Sequence, residues 1–233
     1  MRKLSRFFLF QIFLASTIAS AQKSAIYTYE LKDFDKALAL YNDKQYASAQ
    51  LIFEHVKNNE NTAITEEVKS DCAFYIANCA IRTNKANADA LVEQFVNDYP
   101  TSTKQNQAYI EAAQFFFEQG NYPKALMWFD KVDESYMSKA ESDKFNFMKG
   151  YSYFNAKKKK EATNYFNKVV NSKEYGSQAK YYLGFMAYEG DDYKEATKYF
   201  DEVSGEEKYK EKLSYYQADM NFKLGNFQKA IDL

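Results

Sequence analysis

Tyr193-Lys-Glu-Ala-Thr-Lys-Tyr-Phe-Asp-Glu-Val203 carries the phrase from which the architecture follows: an aromatic, two residues, Ala196, three residues, Phe200, two residues, Val203. The phrase recurs as Tyr46–Ala49–Phe53–Val56 and Tyr122–Ala125–Phe129–Val132. A fourth copy, Ala162–Phe166–Val169, has Lys159 in the aromatic place, and Phe227–Ala230 runs to the last residues. Leu91–Phe95 fits with Leu in place of Ala. Taking Ala49, Leu91, Ala125, Ala162, Ala196 and Ala230 as equivalent gives spacings of 42, 34, 37, 34 and 34 residues. Twelve residues before these markers stand Ala37, Cys79, Ala113, Gly150, Gly184 and Ala218, all small.

Small side chains on two facing helices let the backbones approach, and aromatics fill the grooves beside them. Each pair buries only part of its apolar surface, so stacked neighbours bury the rest. A 34-residue period with a small residue at the close contact is the signature of the tetratricopeptide repeat, and the chain resembles that family from about Glu30 to its last residue. The resemblance implies an all-α fold, a right-handed superhelical solenoid of about six antiparallel helix pairs over residues 30–233, the last pair incomplete. Gly120-Asn121, Gly190-Asp191-Asp192 and Gly225-Asn226 fall where a first helix must stop and reverse. Asp98-Tyr-Pro-Thr-Ser102 closes one repeat and opens the next, and there the chain resembles envelope repeat proteins that serve outer-membrane assembly or cell-wall division.

The N-terminus reads as a secretory leader. Met1-Arg-Lys-Leu-Ser-Arg6 is basic, Phe7 to Ala19 is apolar, and Ala19-Ser20-Ala21 supplies small residues before Gln22. The apolar run is too short for a bilayer span, which takes about 20 residues, so the expectation is cleavage after Ala21, a lead-in over 22–29 and no transmembrane segment afterwards. Cleavage removes three basic residues, leaving 28 basic against 32 acidic, a net of −4 that gives a nucleic acid no footing. The chain is therefore expected to be exported, to the periplasm or in association with the outer membrane or cell wall through its partners. Leu233 follows Ala230 by three residues with no polar cap behind it, so the sequence also reads as the N-terminal part of a longer protein.

Chemistry is sparse. Cys72 and Cys79 lie seven residues apart in one helical stretch, about 10.5 Å along the axis, beyond the Cα reach of a disulfide, and read as buried free thiols. His55 is the only histidine and reads as a surface side chain, so a multi-histidine metal site lacks its parts and a Ser-His-Asp arrangement has little basis. No Gly-rich phosphate loop occurs, and no cofactor is expected. Lys157–Lys160 reads as a solvated turn. Most of the 21 Tyr and 20 Phe have places in the repeat: Phe147, Tyr181 and Tyr215 three before the small position, Phe117, Phe154, Tyr188 and Phe222 four after it.

What remains is binding. The resemblance implies a concave groove lined by first helices, with contacts at offsets least committed to packing. One after the small residue gives Gln114, Tyr151, Phe185 and Asp219; six before gives Gln107, Lys144, Gln178 and Lys212; five after gives Glu118, Asn155, Glu189 and Lys223. Of these, Gln107, Gln114, Lys144, Tyr151, Asn155, Gln178, Phe185 and Glu189 are the candidate partner contacts, and the aromatic Tyr151 and Phe185 the most telling. The expected function is a non-catalytic scaffold holding a protein or peptide in that groove. The alternatives are a glycan-binding or nutrient-uptake subunit, and the recruiting region of an enzyme whose catalytic domain lies beyond Leu233.

Overall fold

A computed structural model describes residues 31–60 and 64–232, so the leader, the cleavage site and the lead-in lie outside the described residues. Twelve α-helices and no strand occur among the described residues. They are α1 (31–42), α2 (Tyr46–Lys57), α3 (Glu66–Arg82), α4 (Ala88–Asp98), α5 (Gln105–Glu118), α6 (Tyr122–Phe129), α7 (Lys139–Asn155), α8 (Lys159–Asn167), α9 (Gly176–Glu189), α10 (Tyr193–Asp201), α11 (Glu207–Lys223) and α12 (Phe227–Ile231). The chain divides into two compact units, up to Phe115 and from Phe116 on, the division falling inside α5.

Every odd-numbered helix ends in the same way. Lys44, Asn84, Gly120, Lys157, Asp191 and Gly225 all have φ between 53° and 79°. Around each, two backbone bonds close a Schellman motif, as where Gly120 N–H donates to Phe117 O and Asn121 N–H to Phe116 O. Five of the six stand five residues before the repeat marker. Asn84 stands seven before Leu91, because the α3–α4 turn has five residues where the other turns have three. This supports Leu91 as the marker of its repeat. Leu91 is half-buried against the first unit's core, with Val92 and Phe95 buried beside it. The glycine expected to turn the fifth pair, Gly190, instead caps α9 at φ −96°, and Asp191 takes the left-handed place. A side chain at Gly190 would run into the Lys159 ammonium, which lies at the C-terminal end of α9. That position suits a cation and gives Lys159 a use where other repeats have an aromatic. The three-residue excess in the 37-residue spacing matches the 3₁₀ turn Glu134–Tyr136 between α6 and α7.

The small positions do what close approach requires. A Cβ built on Gly150 would lie 3.1 Å from the Phe166 ring, and one on Gly184 2.6 Å from the Phe200 ring. Phe53, Phe166 and Phe200, each four residues after a marker, are fully buried. Each stacks on an aromatic of the following odd helix: Tyr75 at 4.9 Å, Tyr182 at 5.5 Å and Tyr216 at 5.8 Å. Such ring pairs add about 0.5–1.5 kcal/mol beyond their burial. In the first unit the core joins Ala37, Ala49, Phe53, Cys72, Ile76 and Cys79, and both cysteines are free thiols. In the second unit one core forms around Ala162, Phe166 and Leu183 and another around Ala196, Phe200 and Leu213.

Tyr215 and Phe222 depart from the packing role expected of their offsets, being 69 % and 63 % exposed. Their counterparts in the preceding repeat, Tyr181 and Tyr188, are covered by Tyr209 and Tyr216 of the next odd helix. No described residue takes that place for Tyr215 and Phe222.

Candidate functional site

In the second unit, residues of α5, α6, α7, α9 and α11 enclose a recess of about 500 Å³. Its aromatic walls are Phe117, Tyr122, Phe147, Tyr151, Tyr181, Tyr182 and Tyr209, and its polar groups are Glu118, Gln178, Lys208 and Lys212. The repeat itself produces this arrangement. Tyr182 stacks its ring on buried Phe166, which holds its edge beside Tyr151, with 5.1 Å between centroids. Tyr151 also meets Phe117 and Tyr122, each at 5.6 Å. Tyr181 lies flat on Tyr209 at 4.9 Å and 8°.

Burial, with the Tyr151 hydroxyl as neighbour, raises Tyr122 and Tyr182 above the usual tyrosine value. Burial and then Tyr216 push Tyr181 up to about 12. The recess therefore offers neutral hydroxyls over an apolar floor. Glu118 and Lys212, both exposed, have no ion-pair partner among the described residues, and Gln178 has no hydrogen-bond partner there. Lys208 pairs with Glu206 at 3.1 Å and lies over the Tyr209 ring.

The eight candidate contacts do not all meet. Tyr151 and Gln178 line the recess. Phe185 is half-buried between Phe154 at 5.9 Å and Tyr216 at 5.6 Å and is not part of the lining. Asn155 donates to the Tyr151 carbonyl at 2.9 Å, one turn back on its own helix. Lys144 and Glu189 are exposed on α7 and α9 away from the lining. Gln107 and Gln114 lie on α5 within the first unit, where Gln107 donates to Glu111 at 2.9 Å. Tyr122, Tyr182, Tyr209 and Lys208 escaped the sequence reading because the offsets used to find contacts skip them. Asp219, one residue after the small position like Tyr151, accepts from the Tyr188 hydroxyl at 2.6 Å and pairs with Lys223 at 2.9 Å.

A family model for the tetratricopeptide repeat matches residues 71–102, the repeat in which Leu91 replaces alanine. The chain is built of tetratricopeptide repeats. A second family model, described as anaphase-promoting complex, cyclosome, subunit 3, matches residues 118–203. Among solved structures, MamA AMB-1 superposes with a TM-score of 0.60 at 15 % identity, covering 78 % of this chain and 93 % of its own. A tetratricopeptide repeat protein from Parabacteroides merdae superposes at 0.58 with 15 % identity, covering 88 % and 76 %. Comparison with curated proteins gives no significant match. Tetratricopeptide-repeat architecture is that of a protein–protein interaction scaffold. Among the described residues no cluster could hold a metal ion, and no helix is long and apolar enough to cross a membrane.

Proposed function

We propose that the chain is a non-catalytic scaffold, exported to the cell envelope, that holds an extended segment of a partner protein in the tyrosine-lined recess of its second unit. The observation that carries this reading is the recess: rings held in place by repeat packing, beside a carboxylate, an amide and an ammonium without partners of their own. Aromatic side chains already fixed by their neighbours lose little freedom on binding, and an extended segment can use phenol and amide hydrogen bonds along its backbone. The basic, apolar and small-residue order of Met1 to Ala21 supports export. Any attachment to the outer membrane or cell wall would run through the partner. A glycan-binding role draws less support, because Tyr182 and Tyr181 have ring faces occupied by Phe166 and Tyr209, not open to a sugar.

Affinity capture from the native envelope, comparing the unaltered chain with a Tyr151→Ala/Gln178→Ala variant of equal helicity, tests the recess. A defined protein set lost in the variant sustains the proposal, and capture that is indifferent to the variant removes the recess from it. The mass of the chain in fractionated cells tests export. A mature N-terminus at Gln22 in the envelope fraction is expected, and an uncleaved chain in the cytoplasm would overturn that half.

A further inference from the structure

The recess has a polarity. Phe117 at the end of α5 meets Tyr151 of α7 at 5.6 Å, Tyr151 meets Tyr182 of α9 at 5.1 Å, Tyr182 meets Tyr181 at 5.4 Å, and Tyr181 meets Tyr209 of α11 at 4.9 Å. These steps lay one row of rings across the lining. Charge stands at its two ends: Glu118 directly follows Phe117, while Lys208 and Lys212 flank Tyr209 on α11. Lys208 is committed to Glu206, which leaves Lys212 as the cation and Glu118 as the anion without an ion pair. Between them the lining is neutral, with the rings of Tyr151, Tyr181 and Tyr182 and the Gln178 amide.

We propose that the recess reads the direction of the segment it holds: a peptide lies with a basic residue toward Glu118 on α5, an apolar side chain against Tyr151 and Tyr182, and an acidic residue toward Lys212 on α11. This rests on the recess being the docking site and adds the chemistry and orientation of the occupant. Laid end to end the four ring-to-ring steps span at most about 21 Å, which about six extended residues cover at roughly 3.3 Å each. The apolar centre supplies affinity. The two charged ends supply orientation, because a reversed peptide sets like charges against each other at both ends.

The test uses one probe peptide, acetyl-Lys-Ser-Leu-Phe-Ser-Glu-amide, carrying a nitroxide beside either its lysine or its glutamate, titrated into the whole chain and read by NMR shifts and paramagnetic broadening of the recess residues. The orientation with lysine toward Glu118 is expected to be populated about fivefold over the reverse at low salt, from two exposed pairs of ordinary strength, so the label beside lysine broadens α5 residues and the label beside glutamate broadens α11 residues. The preference should shrink when salt shortens the screening length. In a Glu118→Lys/Lys212→Glu variant the two patterns should exchange, while Lys210→Glu, a charge change outside the lining, leaves them standing. Equal broadening of α5 and α11 by both labels, or an unchanged pattern in the double variant, overturns the directional reading and leaves the docking reading intact. No shift at the recess overturns both.

Discussion

Gly184→Ala should destabilise this protein although it replaces glycine by the best helix former in the middle of α9. In an ordinary helix interior the exchange stabilises by about 1 kcal/mol. At Gly184 the new Cβ would lie 2.6 and 2.7 Å from two Phe200 ring carbons and 3.2 Å from Tyr199 Cβ, where carbon atoms prefer about 3.5–4.0 Å. Phe200 has no room to retreat, being 0 % exposed and stacked on Tyr216 at 5.8 Å. Overpacking a tight core costs about 1–3 kcal/mol, and a 2.6 Å contact with a ring that cannot retreat falls in the upper half of that range, so after the helix gain the net expectation is a loss of about 1–2 kcal/mol. At Gly150 the closest approach is 3.1 Å; Phe166 is as buried as Phe200, but it has to give by only a few tenths of an ångström, so the two effects nearly cancel. Thermal melts should show Gly184→Ala lowered by roughly 2–8 °C, at about 2–4 °C per kcal/mol for a chain of this size, and Gly150→Ala within about 2 °C of the parent. Amide exchange should place the loss in α9 and α10, since repeat arrays open locally. Phe200→Leu should cost less when combined with Gly184→Ala than it does alone. A raised melting temperature for Gly184→Ala would refute the close-approach account of the repeat.

Three further outcomes are expected. Gly120→Ala, at φ +70° with nothing within 4 Å, should lose about 1 kcal/mol through backbone strain alone, and Lys157→Gly at φ 59° should come out neutral or slightly stabilised in the same denaturation assay. Lys149 is 6 % exposed; burial works to lower its pKa, but Asp130 at 2.9 Å and Tyr165 more than offset that and hold the ammonium above the usual lysine range. Asp130→Ala should therefore cost about 1–3 kcal/mol. The folded pKa is raised, so that contribution is complete below about pH 10.4 and fades as pH rises through the raised value; the gap between the two proteins' melts should close at the alkaline end. Burial pushes the Cys72 and Cys79 thiols up to about 12, so a thiol reagent at pH 8 should label neither in the native protein and both in denaturant. Rapid native labelling would contradict the core assigned to α3.

The repeat register was legible because its signal is steric. Only a small side chain fits where Cys79, Gly150 or Gly184 meets the next helix, and that constraint recurs with the period of the pair. The turns were half legible. Gly120 and Gly225 announce a left-handed residue, but Lys44, Lys157 and Asp191 adopt it too. There the two Schellman hydrogen bonds offset a strain of about 1 kcal/mol, and the residue type leaves no mark. The recess was legible at Tyr151, Gln178, Glu118 and Lys212, whose offsets are those least committed to packing in the repeat, although Tyr151 also packs against the core around Phe166. It was hidden at Tyr182 and Tyr209, because a tyrosine that stacks on one face and lines a recess with its edge has the same sequence signature as one that only packs. Phe185 shows the converse: at the same offset as Tyr151, its ring is taken up by Phe154 and Tyr216.

The most direct measurement is site-specific photocrosslinking in intact cells, with a photoreactive phenylalanine analogue placed either at Gln178 in the recess or at Tyr136, 84 % exposed on the α6–α7 connection. If the recess holds a partner, Gln178 crosslinks to one or a few defined polypeptides that Tyr136 does not capture, and the crosslinked fragment is a short contiguous segment. Equal, diffuse crosslinking from both positions, or capture of no polypeptide at Gln178, would contradict the claim that the recess holds a partner.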